Sequence, residues 1–299
     1  MLVDSATNKK NTASELNLPI EIIRPKIQTI PFIFTSPHSG TNYTNDFIKT
    51  SALDASYLRK SEDSFIDNLY DHAPRSGAPL LKAIYPRAYI DVNREAYELD
   101  PTMFEDILPD FVITASPRIS AGLGTIPRIV SSDYEIYSTK LRFKDAEERI
   151  NKYYFPYHTA LKNLISNTKD KFNQCFLIDC HSMPSKVSKS LNSGYNNNNK
   201  ADIIIGDQFG KSCSNQLTDF IQDYFENEGL IVYRNDPYAG GFTTRHYGVP
   251  KLKVHAIQIE INRALYMHES LFTRSKGFKK LKTIISNLIN SLSKEIFNT

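Results

Sequence analysis

Two stretches of the chain share one pattern of apolar and polar positions. Phe176-Leu177-Ile178 runs into Asp179-Cys180-His181-Ser182-Met183-Pro184, and Phe32-Ile33-Phe34 runs into Thr35-Ser36-Pro37-His38-Ser39-Gly40. An apolar run that stops at small polar groups, a proline and a histidine predicts a buried strand delivering side chains at its carboxyl end, where open α/β sheets carry their chemistry. Further strands are expected over Pro79 to Tyr85, Ala88 to Val92, Asp202 to Ile205, Leu230 to Tyr233 and His255 to Ile261. Two of these also end in polar groups, Asp91-Val92-Asn93-Arg94 and Gln258-Ile259-Glu260-Ile261-Asn262-Arg263.

Helical spacing covers Leu53 to Ala73, with Ser61 as an N-cap inside it, Asp63 at the start of the second segment and Gly77 as a stop. It recurs over Lys144 to Lys171, where Pro156 should kink or divide the helix, over Lys211 to Asn227 before Gly229, and from Ser275 to about Ile296. Strands and helices alternate with no repeat or linker between them. The expectation is a single α/β domain over 18–299, with a mostly parallel mixed sheet flanked by helices.

Three segments lack such periodicity. Residues 1–17, rich in Asn, Thr, Ser and Lys, read as a flexible N-terminal arm, and the Asn/Ser-rich stretch from Lys186 to Lys200 as a mobile loop. Glu95 to Asp133 holds several prolines, Arg118 and the run Gly122-Leu123-Gly124 through Arg128; irregular segments of that length usually serve function. The Gly-x-Gly run lacks the third glycine and the strand-to-helix context of a dinucleotide fingerprint.

Composition narrows the partners. Lys and Arg number 36 against 33 Asp and Glu, a formal +3 spread evenly, which argues against a nucleic-acid surface. No stretch approaches a membrane span, and Met1 to Glu15 has no apolar core of a signal peptide. The three cysteines, Cys175, Cys180 and Cys213, form no CxxC pair and suit a reducing compartment. A cytoplasmic protein is expected; its oligomeric state is not legible.

The polar strand ends could converge on one pocket. Two imidazoles, His38 and His181, make two-thirds of a catalytic zinc site, and Glu260, alone on its apolar strand, is the natural base for metal-assisted hydrolysis. Each residue also has a plain structural reading. A lone histidine beside a strand is more often a hydrogen-bonded core residue, Asp63 reads more simply as a helix N-terminal carboxylate, and Glu260 with Arg263 as a structural ion pair. His72, His158, His255 and His268 are expected to be structural. The serines beside His38 and His181 sit in no Gly-x-Ser-x-Gly elbow, which weakens a serine hydrolase.

Taken together, Ser36-Pro37-His38-Ser39-Gly40, Glu62-Asp63 with Asp67, Asp91-Val92-Asn93-Arg94, Asp179-Cys180-His181-Ser182, Arg245-His246-Tyr247-Gly248 and Gln258 to Met267 resemble the N-formylglutamate amidohydrolase family, in that family's order. The resemblance implies a zinc-carboxypeptidase-like α/β fold and a mononuclear metal hydrolase that releases formate from N-formyl-L-glutamate, a metal-bound water being activated by a glutamate base. It makes His38, Asp63 and His181 the metal ligands, displacing the helix-terminus reading of Asp63, and Glu260 the base. Asn93, Arg94, Arg245 and Arg263 become substrate-binding residues, with Arg118 or Arg128 as a further arginine, and Asp179 orients His181. The metal is expected to be one Zn2+ per chain, with cobalt or iron also suited to two His and one carboxylate. The partner is a small N-acyl acidic amino acid. The 192–199 insertion and the Gly122-to-Arg128 loop depart from the histidine-degrading members. The rivals are a hydrolase of another N-acyl amino acid or peptide amide, and a silent protein that binds an acidic amino acid.

Overall fold

The apolar runs become the centre of one sheet. The structure, a computed structural model, describes residues 19–130, 134–186 and 200–295. In chain order the strands are β1 (Ile20–Ile23), β2 (Phe32–Ser36), β3 (Leu80–Ala83), β4 (Cys175–Met183), β5 (Ile203–Gly206), β6 (Val232–Arg234) and β7 (Val254–Asn262). They lie in the order β1-β3-β2-β4-β7-β5-β6. The central strands β3, β2, β4 and β7 are mutually parallel, β1 and β5 run antiparallel to their inner neighbours, and β6 is parallel to β5. This is the mostly parallel, mixed α/β sheet expected from the alternation of elements.

Side chains alternate across a strand, so each central strand must be apolar on both faces to be covered by helices. On one face Phe32, Phe34, Phe176, Ile178, Ile257 and Ile259 pack with residues of the helices Asn215–Asn227 and Gly277–Glu295, among them Ile221, Phe225, Ile285 and Leu288. On the other, Ile33, Leu81, Leu177 and Ala256 pack with Tyr157, Leu161 and Leu164 of the helix Phe155–Phe172. Each such Phe, Leu or Ile side chain contributes roughly 1.5–3 kcal/mol on burial. The three cysteines are buried and unpaired.

Several local expectations are corrected. The segment 53–73 is not a pair of regular helices: four-residue helices, Ala55–Leu58 and Ile66–Leu69, flank the 3-10 turn Arg59–Ser61 and an extended stretch that carries Asp63. Ser61 caps no helix; its hydroxyl donates to the Leu58 carbonyl at 2.9 Å. The second helix starts instead after Phe65, held at φ 68°. The reason lies outside the segment, because the Asp63 amide donates to the His38 carbonyl at 3.0 Å and pulls the chain beneath β2. Ala88 to Val92 is a turn rather than a strand: the Tyr89 and Ile90 amides bond to the Pro86 carbonyl and the Asp91 amide to that of Thr125. Pro156 does not divide its helix. A π-helical turn, Ile150–Tyr154, precedes it, with the Phe155 amide bonding to the Ile150 carbonyl, and helix continues from Phe143 to Phe172. Gly77 does stop its turn, at φ 90°. The expected terminal arm and most of the Asn-rich loop lie outside the described residues. Among those residues no helix is long and apolar enough to cross a membrane.

Candidate active site

Register explains why the polar residues meet. Thr35 pairs with Asp179, Asp179 with Gln258, and His181 with Glu260, across the neighbouring parallel strands β2, β4 and β7. Period-two alternation puts these side chains on the face that carries Leu177 and Ala256 nearer the amino ends. That face therefore changes from apolar core to polar row as the strands approach their carboxyl ends. His38 stands just beyond β2, and the 62–65 stretch swings Asp63 beneath it.

The result is a buried group in which every ring nitrogen but one has a hydrogen-bond partner. His38 Nε2 donates to Asp91 Oδ1 at 2.7 Å, and His181 Nε2 donates to Asp179 Oδ2 at 2.9 Å. Both Nδ1 atoms then face one oxygen, Asp63 Oδ2, at 3.4 Å from His38 and 3.1 Å from His181. His38 Nδ1 is buried without a hydrogen bond. His38, Asp63 and His181 offer ligand atoms within 4.8 Å of one another and could hold a metal ion. The donor set suits one: two imidazoles and a carboxylate, each ring fixed from behind by a second carboxylate, as in the carboxylate-histidine-metal arrangement.

Charges in the group are set by mutual contacts that outweigh burial. Desolvation opposes ionisation of Asp63, but the hydrogen bond from His181 and the charges of His38 and His181 hold its carboxyl well below the usual range. Burial likewise opposes the His181 cation, yet Asp179 and Asp63 push its pKa well above the ordinary imidazole value. Glu260 is the contrasting case. Burial raises its pKa to about 7, and the opposing influence of His181, Arg87 and Arg263 is too weak to restore an ordinary carboxylate.

Neighbouring groups hold these residues rigidly. Gln258 Nε2 donates to Glu260 Oε1 at 2.7 Å while its own Oε1 accepts from the Gly241 amide at 2.7 Å. Asn93 Nδ2 donates to Asp179 Oδ2 at 3.0 Å, and its Oδ1 accepts from the Thr243 amide at 2.7 Å. A Cβ at Gly241 would lie 2.6 Å from Asn93 Nδ2, so only glycine permits this approach. Arg263 donates to Asp63 Oδ1 and to Ser182 Oγ, both at 3.1 Å. His158, expected to be structural, is buried; burial lowers its pKa to about 4, so the neutral ring donates from Nε2 to the Val92 carbonyl and accepts from the Tyr247 hydroxyl.

A cavity of about 920 Å³ opens over the group, lined by His38, Asp63, His181 and Glu260 and walled by residues of the 95–130 segment. Five arginines line it: Arg87, Arg94, Arg118, Arg245 and Arg263. Arg94 bonds to the Leu123 and Asn93 carbonyls and lies 3.4 Å from Asp91. Arg245 is half exposed and pairs with Glu95 at 3.2 Å. Arg128 faces elsewhere, toward Asp100 and Glu135. Three residues of the site were given no role by the sequence: Asp91, which holds His38, Gln258, which braces Glu260, and Arg87. Arg87 bonds to Asp91 Oδ2 at 2.8 Å, and its only sequence signal is the four-residue spacing to Asp91.

Comparison with known proteins places the chain among relatives. The family model described as N-formylglutamate amidohydrolase matches residues 30–267. The chain is 27% identical over 285 residues to the N-formylglutamate deformylase of Pseudomonas aeruginosa, covering 91% of this chain and 96% of that protein. It is 25% identical over 244 residues to the protein of that name from Pseudomonas putida, covering 81% and 83%. The crystal structure of N-formylglutamate amidohydrolase from Ralstonia eutropha JMP134 superposes with a TM-score of 0.87 at 32% identity, covering 94% of this chain and 99% of that one. A gene product of Agrobacterium tumefaciens shares the fold, with a TM-score of 0.67 at 17% identity over 96% of this chain and 98% of its own.

Proposed function

Since the chain belongs to the N-formylglutamate amidohydrolase family, we propose that it hydrolyses N-formyl-L-glutamate to formate and L-glutamate, using one divalent metal ion, zinc by preference, held by His38 Nδ1, His181 Nδ1 and Asp63 Oδ2. The observation that carries the reading is the convergence of both Nδ1 atoms on Asp63 Oδ2 beside a carboxyl whose pKa is about 7. Such an ion polarises an amide carbonyl and makes water acidic.

The chain supplies the remainder. Asp91 and Asp179 fix each histidine with Nε2 protonated, which leaves Nδ1 turned toward Asp63. Arg263 and Ser182 hold the second oxygen of Asp63, so its first remains directed at the two rings. Glu260 Oε1 accepts from Gln258, and Oε2 is left to take a proton from the attacking water. Attack on the formyl carbon and rupture of its bond to nitrogen require that proton on the departing amine, and Glu260 delivers it. A pKa near 7 suits a group that must both accept and return a proton at neutral pH.

The test is metal content measured together with formate release. Wild-type protein is expected to hold about one metal ion per chain and to release formate from N-formyl-L-glutamate faster than acetate from N-acetyl-L-glutamate. Glu260→Gln should keep the metal and lose turnover by about 10²- to 10⁴-fold. A near-normal rate would remove Glu260 as the base, and protein without stoichiometric metal would overturn the hydrolase reading.

A further inference from the structure

Of the arginines that line the cavity, all but one already face a carboxylate of the protein. Arg87 and Arg94 lie at 2.8 Å and 3.4 Å from Asp91, Arg263 at 3.1 Å from Asp63, and Arg245 at 3.2 Å from Glu95. Lys60, also in the wall, is drawn over the Tyr57 ring, 3.8 Å from its centroid. Arg118 is the exception: half-buried, it makes no side-chain hydrogen bond or ion pair among the described residues.

The turn that carries Arg118 is nevertheless tightly braced. Ser116 Oγ donates to Glu98 Oε1 at 2.5 Å and accepts from the Ile119 amide, and Pro117 follows as the first helical residue. The Arg118 carbonyl accepts from the Leu123 amide, whose own carbonyl accepts from Arg94 Nε at 2.8 Å. A guanidinium on a braced backbone, with no carboxylate against it among the described residues, suits an anion that arrives with the ligand.

We propose that Arg118 receives the side-chain carboxylate of an acidic N-acyl amino acid and so sets the preference for glutamate over glutamine. The assignment rests on the reaction proposed above and deepens it. In such a substrate the α-carboxylate is two bonds from the scissile nitrogen and must lie close to the metal-ligand group, where the charge of Arg87 acts on Asp63 and Glu260. The side-chain carboxylate lies further out. Arg118 lines the same cavity from the 95–130 segment that walls it.

The experiment compares wild type, Arg118→Ala and Arg118→Lys in hydrolysis of N-formyl-L-glutamate and N-formyl-L-glutamine. Calorimetric binding of L-glutamate and L-glutamine, which needs no turnover, is measured alongside. Arg118→Ala should raise KM for formylglutamate by about 10- to 100-fold with kcat little changed, from the loss of a charge-assisted pair. It should leave formylglutamine unaffected and weaken L-glutamate binding by the same factor. Arg118→Lys should recover part of the loss, because an ammonium cannot make the two parallel bonds of a guanidinium. Equal losses on both substrates, or an unchanged KM for formylglutamate, would overturn the assignment. If wild type hydrolyses neither compound, the reaction reading fails, while the binding of glutamate against glutamine still decides the arginine.

Discussion

The carboxyl edge of the sheet and the wall above it are built on opposite plans. At the edge, His181, Asp179, Gln258 and Glu260 sit on paired strands, are buried, and are each held by hydrogen bonds from fixed neighbours, Glu260 through Oε1. The wall, from Glu95 to Val130, is mostly irregular, carries exposed Ile107 and Phe111, and offers half-buried or exposed cations such as Arg118. Regular pairing places atoms within tenths of an ångström, which bond-breaking requires. Loops vary at little cost to stability and suit the part of a site that reads what the substrate carries.

That division can be broken by measurements that separate metal and rate from substrate choice. Asp63→Ala should have the largest effect: it removes the oxygen shared by both Nδ1 atoms, and metal content by mass spectrometry should fall below stoichiometry with turnover reduced on the order of 10⁴-fold. Stoichiometric metal in that variant would contradict the ligand set. Asp179→Asn should be milder, lowering metal affinity about 10- to 100-fold in a competition titration, because His181 loses the carboxylate that fixes its ring. The smallest effect concerns pH. Glu260 must be ionised to act as a base and its pKa is about 7, so kcat/KM should fall about tenfold per unit below pH 6 and level off above about 8. Arg118→Ala should leave that acid limb in place, since Arg118 belongs to the wall; a displaced limb would show that the two regions are electrically coupled.

Much of the fold was legible because the determining signals are local. Continuous apolar strands between amphipathic helices specify a covered, mostly parallel sheet, and His38, His181 and Glu260 stand out because each interrupts or ends an apolar run. Asp63 was misplaced onto a helix because the bond that shapes its segment, from its amide to the His38 carbonyl, joins residues 25 apart in the chain. Ala88 to Val92 has strand-like composition, yet its amides bond to the Pro86 turn and to Thr125. Pro156 was expected to kink or divide its helix, but it stands in the first turn after a π-helical segment and the helix runs on undivided to Phe172.

By itself, then, the sequence determined the sheet, its helical cover and the residue types at its carboxyl edge, since periodicity and burial are properties of a chain segment. Tertiary structure decided which of those residues share an atom. It put both imidazoles on one oxygen of Asp63, turned Asp91 into the support of His38, paired four cavity arginines with carboxylates of the protein and left Arg118 without one among the described residues. Such pairings depend on distances of about 3 Å between segments remote in sequence, and no one-dimensional pattern encodes them.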